Sequence, residues 1–263
     1  MQFGKLTLKR CRHGWMLFNG PSGPFIGRCF ELYGEFSEGE VDLMCKLIEP
    51  GDTVIDVGAN IGSFTVPLAN RVGAAGRVYA VESHAETFQV LCANLALNGL
   101  SNVKPVNAFV TADPHTSTDG DWGRHGYVSA VWAPPLIPID ALDVPACRLI
   151  KIDTDGRELG VIQSAEQTIN RFRPVIYFEN EKRALSPPLL SHVRDLGYDM
   201  HWHITPLTRA GNFFGHADLL HGGKRLVSPM VVATPKERPM MFPLMRKVAD
   251  VSEWWEDVHR RPA

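Results

Sequence analysis

The sequence predicts an α/β fold with a mostly parallel sheet and helices on both faces. Three observations carry this. Short β-branched runs alternate with amphipathic stretches of helical period from residue 38 to about 196. Turn residues such as Pro50-Gly51 and Asn98-Gly99 punctuate them at the joints. Four of the strand-like runs end in an acid, at Asp56, Glu82, Asp153 and Glu179. In a sheet built from right-handed βαβ units those ends share one rim, where ligands bind.

The elements follow in order. Residues 1–36 read as a small β-rich lead-in around the loop NGPSGPFIG. Ser37 and Glu40 form a capping-box pattern before a helix carrying Val41, Met44, Cys45 and Ile48. A strand is expected at 53–57 and a helix at 63–72, with Pro67 in or just after its first turn. A strand at 77–82 is followed by a second capping box, Ser83 and Glu86, and by the stripe Phe88, Leu91, Leu95. Residues 103–110 form the third strand of this series. The polar stretch 111–126 reads as a loop entering a hairpin near 127–133. A strand at 147–153 leads through a third capping box, Asp155 and Glu158, into one helix with Leu159, Ile162, Ala165, Ile169 and Phe172 on one face. Strands near 174–179, 198–204 and 229–234 and a helix near 187–196 complete the body. The tail SEWWEDVHRR reads as a short helix docking its tryptophans. The divisions are thus a lead-in at 1–36, a main domain at 37–235 and a tail at 236–263.

Composition narrows the function. With 263 residues and 44% apolar content the chain supports one elaborated domain with a sizeable core. A net charge of −2 gives no basic field, so no nucleic-acid partner is expected. No apolar run approaches the roughly 18 residues of a membrane span, and the N-terminus lacks a signal-peptide core. Five cysteines without a C-x-x-C pair suit a reducing, cytoplasmic setting. Oligomeric state is left open, a homo-oligomer included.

The sharpest signal is VIDVGANIGSF at 54–64. Gly58 permits a tight turn and close approach of a ligand, Asn60 tolerates left-handed backbone, and Gly62 lets the next helix start close to the strand. Glu82, 24 residues after Gly58, is placed to bind ribose hydroxyls. Together these describe a nucleoside site on a Rossmann-like sheet. A dinucleotide fingerprint aligned on Gly58 would need glycines where Asn60 and Ser63 stand, which disfavours a nicotinamide oxidoreductase, and no P-loop is present. The pattern D-x-G-x-N-x-G is similar instead to motif I of class I S-adenosylmethionine-dependent methyltransferases.

A more specific resemblance rests on GDTVIDVGANIGSFTVPLA, LCANLALNGLSNV, LIKIDTDGRELGVIQSAEQTI and RPVIYFENE, with the lead-in RHGWMLF and YGEFSEGEV. These segments resemble the FkbM-type methyltransferase family over about residues 12–235. The resemblance implies a seven-stranded class I methyltransferase fold using S-adenosyl-L-methionine, and O-methylation of a small molecule or glycan. Carried over by position, Asp56, Gly58, Asn60 and Gly62 hold the methionine and ribose portion, Glu82 takes the ribose hydroxyls, and Asn107 and Ala108 lie by the adenine. Ser83-His84 and the segment Asn212–Asp218 depart from the family's usual pattern.

Methyl transfer to a hydroxyl needs alignment and a route for the proton. Asp153 and Asp155 are the candidate catalytic carboxylates, with a strand-end or helix-capping role as the alternative for each. Asp153, Glu179 and Asn180 form an oxygen-donor set suited to Mg²⁺, against simple polar positioning of substrate. His201 and His203, with His216 or His221, offer a zinc set without supporting spacing. His84, Tyr33 and Glu35 are candidates for the cofactor's edge. N- or carboxyl-methylation, and cofactor binding without catalysis, remain open.

Overall fold

The computed structural model describes residues 2–3, 5–20, 25–113, 115, 134–217 and 226–259. The lead-in holds an antiparallel sheet of β1 (Gln2–Phe3), β2 (Leu6–Cys11) and β3 (Gly14–Asn19), and then a helix, α1 (Phe25–Tyr33). The sheet is the β-rich lead-in expected, and the helix is an addition to it. Its buried Gly27, Cys29, Phe30 and Tyr33 face the core, and a Cβ at Gly27 would meet Asn19 O at 2.2 Å, so helix and sheet are in close contact.

Next come α2 (Glu38–Leu47), β4 (Thr53–Val57), α3 (Thr65–Val72), β5 (Arg77–Glu82), α4 (Ala85–Leu97) and β6 (Val103–Asn107). The strand expected over 103–110 breaks at Ala108. Its end, β7 (Phe109–Val110), leaves the main sheet to pair with β8 (Leu136–Ile137). The hairpin expected near 127–133 lies outside the described residues. A 3₁₀ turn (Ile139–Leu142) leads to β9 (Leu149–Ile152). The single helix expected after it is two, α5 (Glu158–Gln163) and α6 (Glu166–Phe172). Asp140 causes the division: it accepts from the backbone N–H groups of Gln167 and Thr168 and so caps α6 from a distant turn. Then follow β10 (Val175–Glu179), α7 (Ser186–Asp195), β11 (Tyr198–Pro206), β12 (Val227–Pro235), β13 (Arg246–Lys247) and α8 (Trp255–His259).

The main sheet runs β13-β11-β12-β10-β9-β4-β5-β6. Its centre, β10-β9-β4-β5-β6, is parallel, while β12 runs antiparallel to both its neighbours, β10 and β11, so β11 points the same way as the centre. Two-residue β13 adds an eighth strand to the seven expected. Strand order reverses between β4 and β9, which opens a crevice above their carboxyl ends. The sheet separates two apolar cores, one around Ile55, Ile150, Ile176 and Trp202, the other joining α1–α3 to Val54, Leu149 and Val232. Trp254 docks edge-on against Trp202, as the tail reading expected. All five cysteines are free. Among the described residues no helix is long and apolar enough to cross a membrane.

None of the three capping boxes forms as drawn. Ser37 sits in left-handed backbone (φ 45°) and donates to Glu40 Oε1 at 2.6 Å rather than capping a backbone N–H. His84 and Arg157 occupy the other two cap positions without side-chain cap bonds. Glu158 instead turns back to accept from the N–H groups of Thr154 and Gly156 and from the Thr154 hydroxyl, tightening the turn after β9.

Candidate active site at the β4–β9 crevice

The loop after β4 is shaped by its glycines and held by Glu82. Gly58 has φ 75°, and a Cβ there would lie 1.9 Å from Asp153 O, so the two strand ends meet at van der Waals limit. Asn60 also has positive φ (51°), and its side-chain oxygen accepts from the Ile61 N–H at 2.8 Å. Glu82 stands at the end of β5, nearly buried. One carboxylate oxygen accepts from the Asn60 N–H at 2.9 Å, the other from the His84 N–H at 2.8 Å. A carboxylate offers about four lone-pair sites, so each oxygen retains capacity for a hydroxyl donor. Asn107 donates its amide to Glu82 O and Ser83 O, which fixes the turn that presents this carboxylate.

Asp56 is placed differently from the sequence expectation of a ligand contact. It is 0% exposed, and its carboxylate accepts from the Thr65 hydroxyl at 2.6 Å and faces Lys151 Nζ at 3.2 Å. It offers no surface to a ligand and acts on the loop. Lys151 was missed from sequence. It is fully buried in β9, donates to Gly58 O at 3.0 Å, and lies 3.7 Å from Asp153 Oδ2. Burial alone would lower its ammonium, but Asp56 and Asp153 outweigh that and hold it at about 12.

Asp153 keeps 35% of its side chain exposed at the rim. The low-dielectric surroundings push its carboxyl up, Lys151 opposes that, and Asp155, Glu158 and Asp56 add to it, leaving it at about 6. Glu179 is held well above the usual carboxylate range by burial and by Asp153. Asp155 is exposed, in left-handed backbone (φ 54°). Of the expected Mg²⁺ set, Asp153 and Glu179 are close enough to act on each other's charge. Asn180 is buried with its amide donating to Ser186 Oγ. The carboxylates that do converge, within 4.8 Å of one another, are Asp155, Glu179 and Glu181, and Glu181 is also paired with Lys182.

The remaining candidates separate. His203 lies 2.7 Å from the Tyr177 hydroxyl and is pushed down by burial to about 4, His201 packs on Phe242, and His216 on Tyr33. The described histidines therefore form no metal set, and His221 lies outside the described residues. Tyr33 is fully buried, and Glu35 is engaged by Arg12, Arg209 and the Phe213 N–H. From the lead-in, Phe36 packs edge-on against Phe64 where α3 begins.

Asn94 is the other residue that sequence reasoning missed. From α4 it grips the Leu17 N–H and C=O at the edge of β3, and it also donates to Ile61 O in the glycine loop at 2.8 Å. Asn98, one turn on, holds Trp15 in the same way. This gives a physical role to the segment LCANLALNGL: it splices the lead-in sheet to the loop.

The fold and this rim define a Rossmann-like class I methyltransferase architecture. Residues 56–200 match the Methyltransferase FkbM domain, and the chain belongs to that family. Among solved structures it is similar to a precorrin-6y C5,15-methyltransferase from Geobacter metallireducens, with TM-score 0.50, 15% identity, and 74% of this chain and 87% of that one covered. It is also similar in fold to Trm5b from Pyrococcus abyssi, with TM-score 0.51, 14% identity, and 88% and 56% covered. Among curated proteins, a 23S rRNA (uracil(1939)-C(5))-methyltransferase, RlmD, from Acinetobacter baylyi is 35% identical over 96 residues, covering 35% of this chain and 20% of that protein. The first curated relatives are matched over less than two thirds of their own length.

Proposed function

We propose that the chain binds S-adenosyl-L-methionine in the β4–β9 crevice and transfers its methyl group to a hydroxyl oxygen of a small molecule or glycan. The observation that carries the cofactor half is Glu82: a nearly buried carboxylate, aimed by two backbone N–H groups, beside a loop that Gly58 lets pack directly against the end of β9. Gly58, Asn60 and Gly62 shape the wall for the methionine and ribose portion, and Asn107 fixes the adenine side. When bound, the cofactor supplies an electrophilic methyl on a sulfonium, which departs as a neutral thioether.

The chain's own residues align the acceptor and take its proton. Asp153 is the base we assign. It is at the rim, partly exposed, and Lys151 keeps it ionised above about pH 6. As the acceptor oxygen forms its bond to carbon, its proton passes to the Asp153 carboxylate. Asp155 and Glu179 line the same edge and position the acceptor.

A second reading, methylation of a nucleic-acid base, is favoured by one observation, the names of the curated relatives that act on rRNA and tRNA. Their matches are partial, and the acidic rim of this chain opposes a polyanion. Incubation with methyl-labelled cofactor and two acceptor panels, hydroxylated small molecules and glycans against total RNA, separates the readings. Label in the first panel alone supports O-transfer; label in RNA overturns it.

A further inference from the structure

We infer that Lys151 is the positioning residue of the crevice: one buried ammonium ties its two walls into a fixed geometry. The inference rests on reading the crevice as the cofactor site. Strand β9 runs Leu149-Ile150-Lys151-Ile152, buried at every position, and a lysine in such a run is costly unless each donor is used. Here the register sets Lys151 beside Asp56 on β4 and beside Tyr177 on β10, all on the face covered by α1–α3. Nζ donates to Gly58 O at 3.0 Å and forms ion pairs with Asp56 Oδ1 at 3.2 Å and Asp153 Oδ2 at 3.7 Å. It also lies 4.9 Å from the centre of the Phe64 ring. Each partner belongs to a different part of the rim. Asp56 is the last residue but one of β4, Gly58 opens the glycine loop, Phe64 immediately precedes α3, and Asp153 is the acid across the crevice.

A structural ion pair would need Asp56 alone. The bond to the Gly58 carbonyl is what makes Lys151 more than that, because it fixes the peptide after which the loop turns. Asp56 is itself pinned by the Thr65 hydroxyl, so the chain Thr65–Asp56–Lys151–Gly58 closes a ring around the loop 58–64. The same ammonium then sets where Asp153 stands relative to that loop. Lys151 touches no exposed surface, so it acts on ligands only through these neighbours.

The test uses the full chain, calorimetric titration with S-adenosylhomocysteine, and thermal unfolding. Lys151→Met leaves Asp56 as a buried carboxylate without its counter-charge, so this variant can fail to fold. The double variant Lys151→Met/Asp56→Asn removes both charges and keeps the volume, and it decides the question in that case. The expected result is a double variant with a Tm near wild type and an affinity at least tenfold weaker. Amide hydrogen exchange should be faster in 58–64 and 153–158 and unchanged in 175–179. Asp56→Asn alone, retaining the Lys151–Gly58 bond, should lose less affinity than the double. A folded double variant with wild-type affinity and unchanged exchange overturns the inference and leaves the cofactor site standing. Wild-type protein that does not bind S-adenosylhomocysteine overturns the cofactor reading, and this inference with it.

Discussion

Replacing Gly58 by alanine tests the loop geometry with a perturbation whose size can be worked out. Gly58 has φ 75°, and a left-handed conformation costs an L-residue about 1–2 kcal/mol. The new Cβ would fall 1.9 Å from Asp153 O, a backbone atom. Relief needs a shift of about 1 Å or more between the ends of β4 and β9, where the Asp153 N–H donates to Val57 O at 3.1 Å. Overpacking of this kind costs about 1–3 kcal/mol. The sum, about 2–5 kcal/mol, corresponds to a Tm loss of roughly 5–15 °C for a domain of this size. Gly99→Ala is the control. It has a similar φ (63°) but nothing within 4 Å of its Cβ, so it should cost only about 1–2 kcal/mol. Differential scanning calorimetry and S-adenosylhomocysteine titration of both variants give the comparison. Gly58→Ala should be much the less stable and should lose cofactor affinity, whereas Gly99→Ala should keep it. Equal stability and undiminished binding in Gly58→Ala would refute the argument that the strand ends are in contact through this residue.

Other perturbations separate stability from function. Asn94→Ala removes bonds to Leu17 and Ile61 and should lower both Tm and cofactor affinity, while Asn98→Ala, which holds only the lead-in at Trp15 and its own helix, should lower Tm alone; paired titrations read the difference. Asp153→Asn should reduce kcat by about 10²–10⁴-fold with little change in cofactor binding, measured once an acceptor is in hand. Glu40 is buried and its carboxyl is raised by desolvation to about 7, with the Ser37 hydroxyl opposing and Asp153 adding. Its folded pKa thus lies above its unfolded one, so the native state holds the extra proton between about pH 4.5 and 7, and this group's contribution falls as pH rises across that window. Glu40→Gln should therefore raise Tm at pH 8, by an amount that vanishes near pH 4.5; a variant less stable at pH 8 would count against the reversed sign.

The sequence made the crevice readable because its constraints are local. Positive φ at Gly58 and Asn60, a following strand and an acid at its end are all chain-neighbour facts. The unread parts depend on partners distant in sequence. Asp140 caps α6 from a turn 27 or more residues away, so one apolar stripe became two helices. Asn94 and Asn98 look like ordinary polar positions of a helix until β3 is laid against them. The capping boxes misled because Ser37 was drawn into a pairing with Glu40, and Glu158 was drawn back to the turn at 154–156. Asp56 reads as a rim acid by position, yet it points into the fold because Lys151 is there to receive it. The signal for Lys151 was present: a lone charge in the otherwise apolar run LIKI.

The central claim is that Glu82 and the loop 58–62 form a site for S-adenosylmethionine. Calorimetric titration of the purified chain with S-adenosylhomocysteine, with NADH alongside, tests it most directly. The account predicts micromolar binding of the first, none of the second, and at least a tenfold loss in Glu82→Ala with an unchanged fold. Binding of NADH, or S-adenosylhomocysteine affinity that ignores the loss of Glu82, would contradict it.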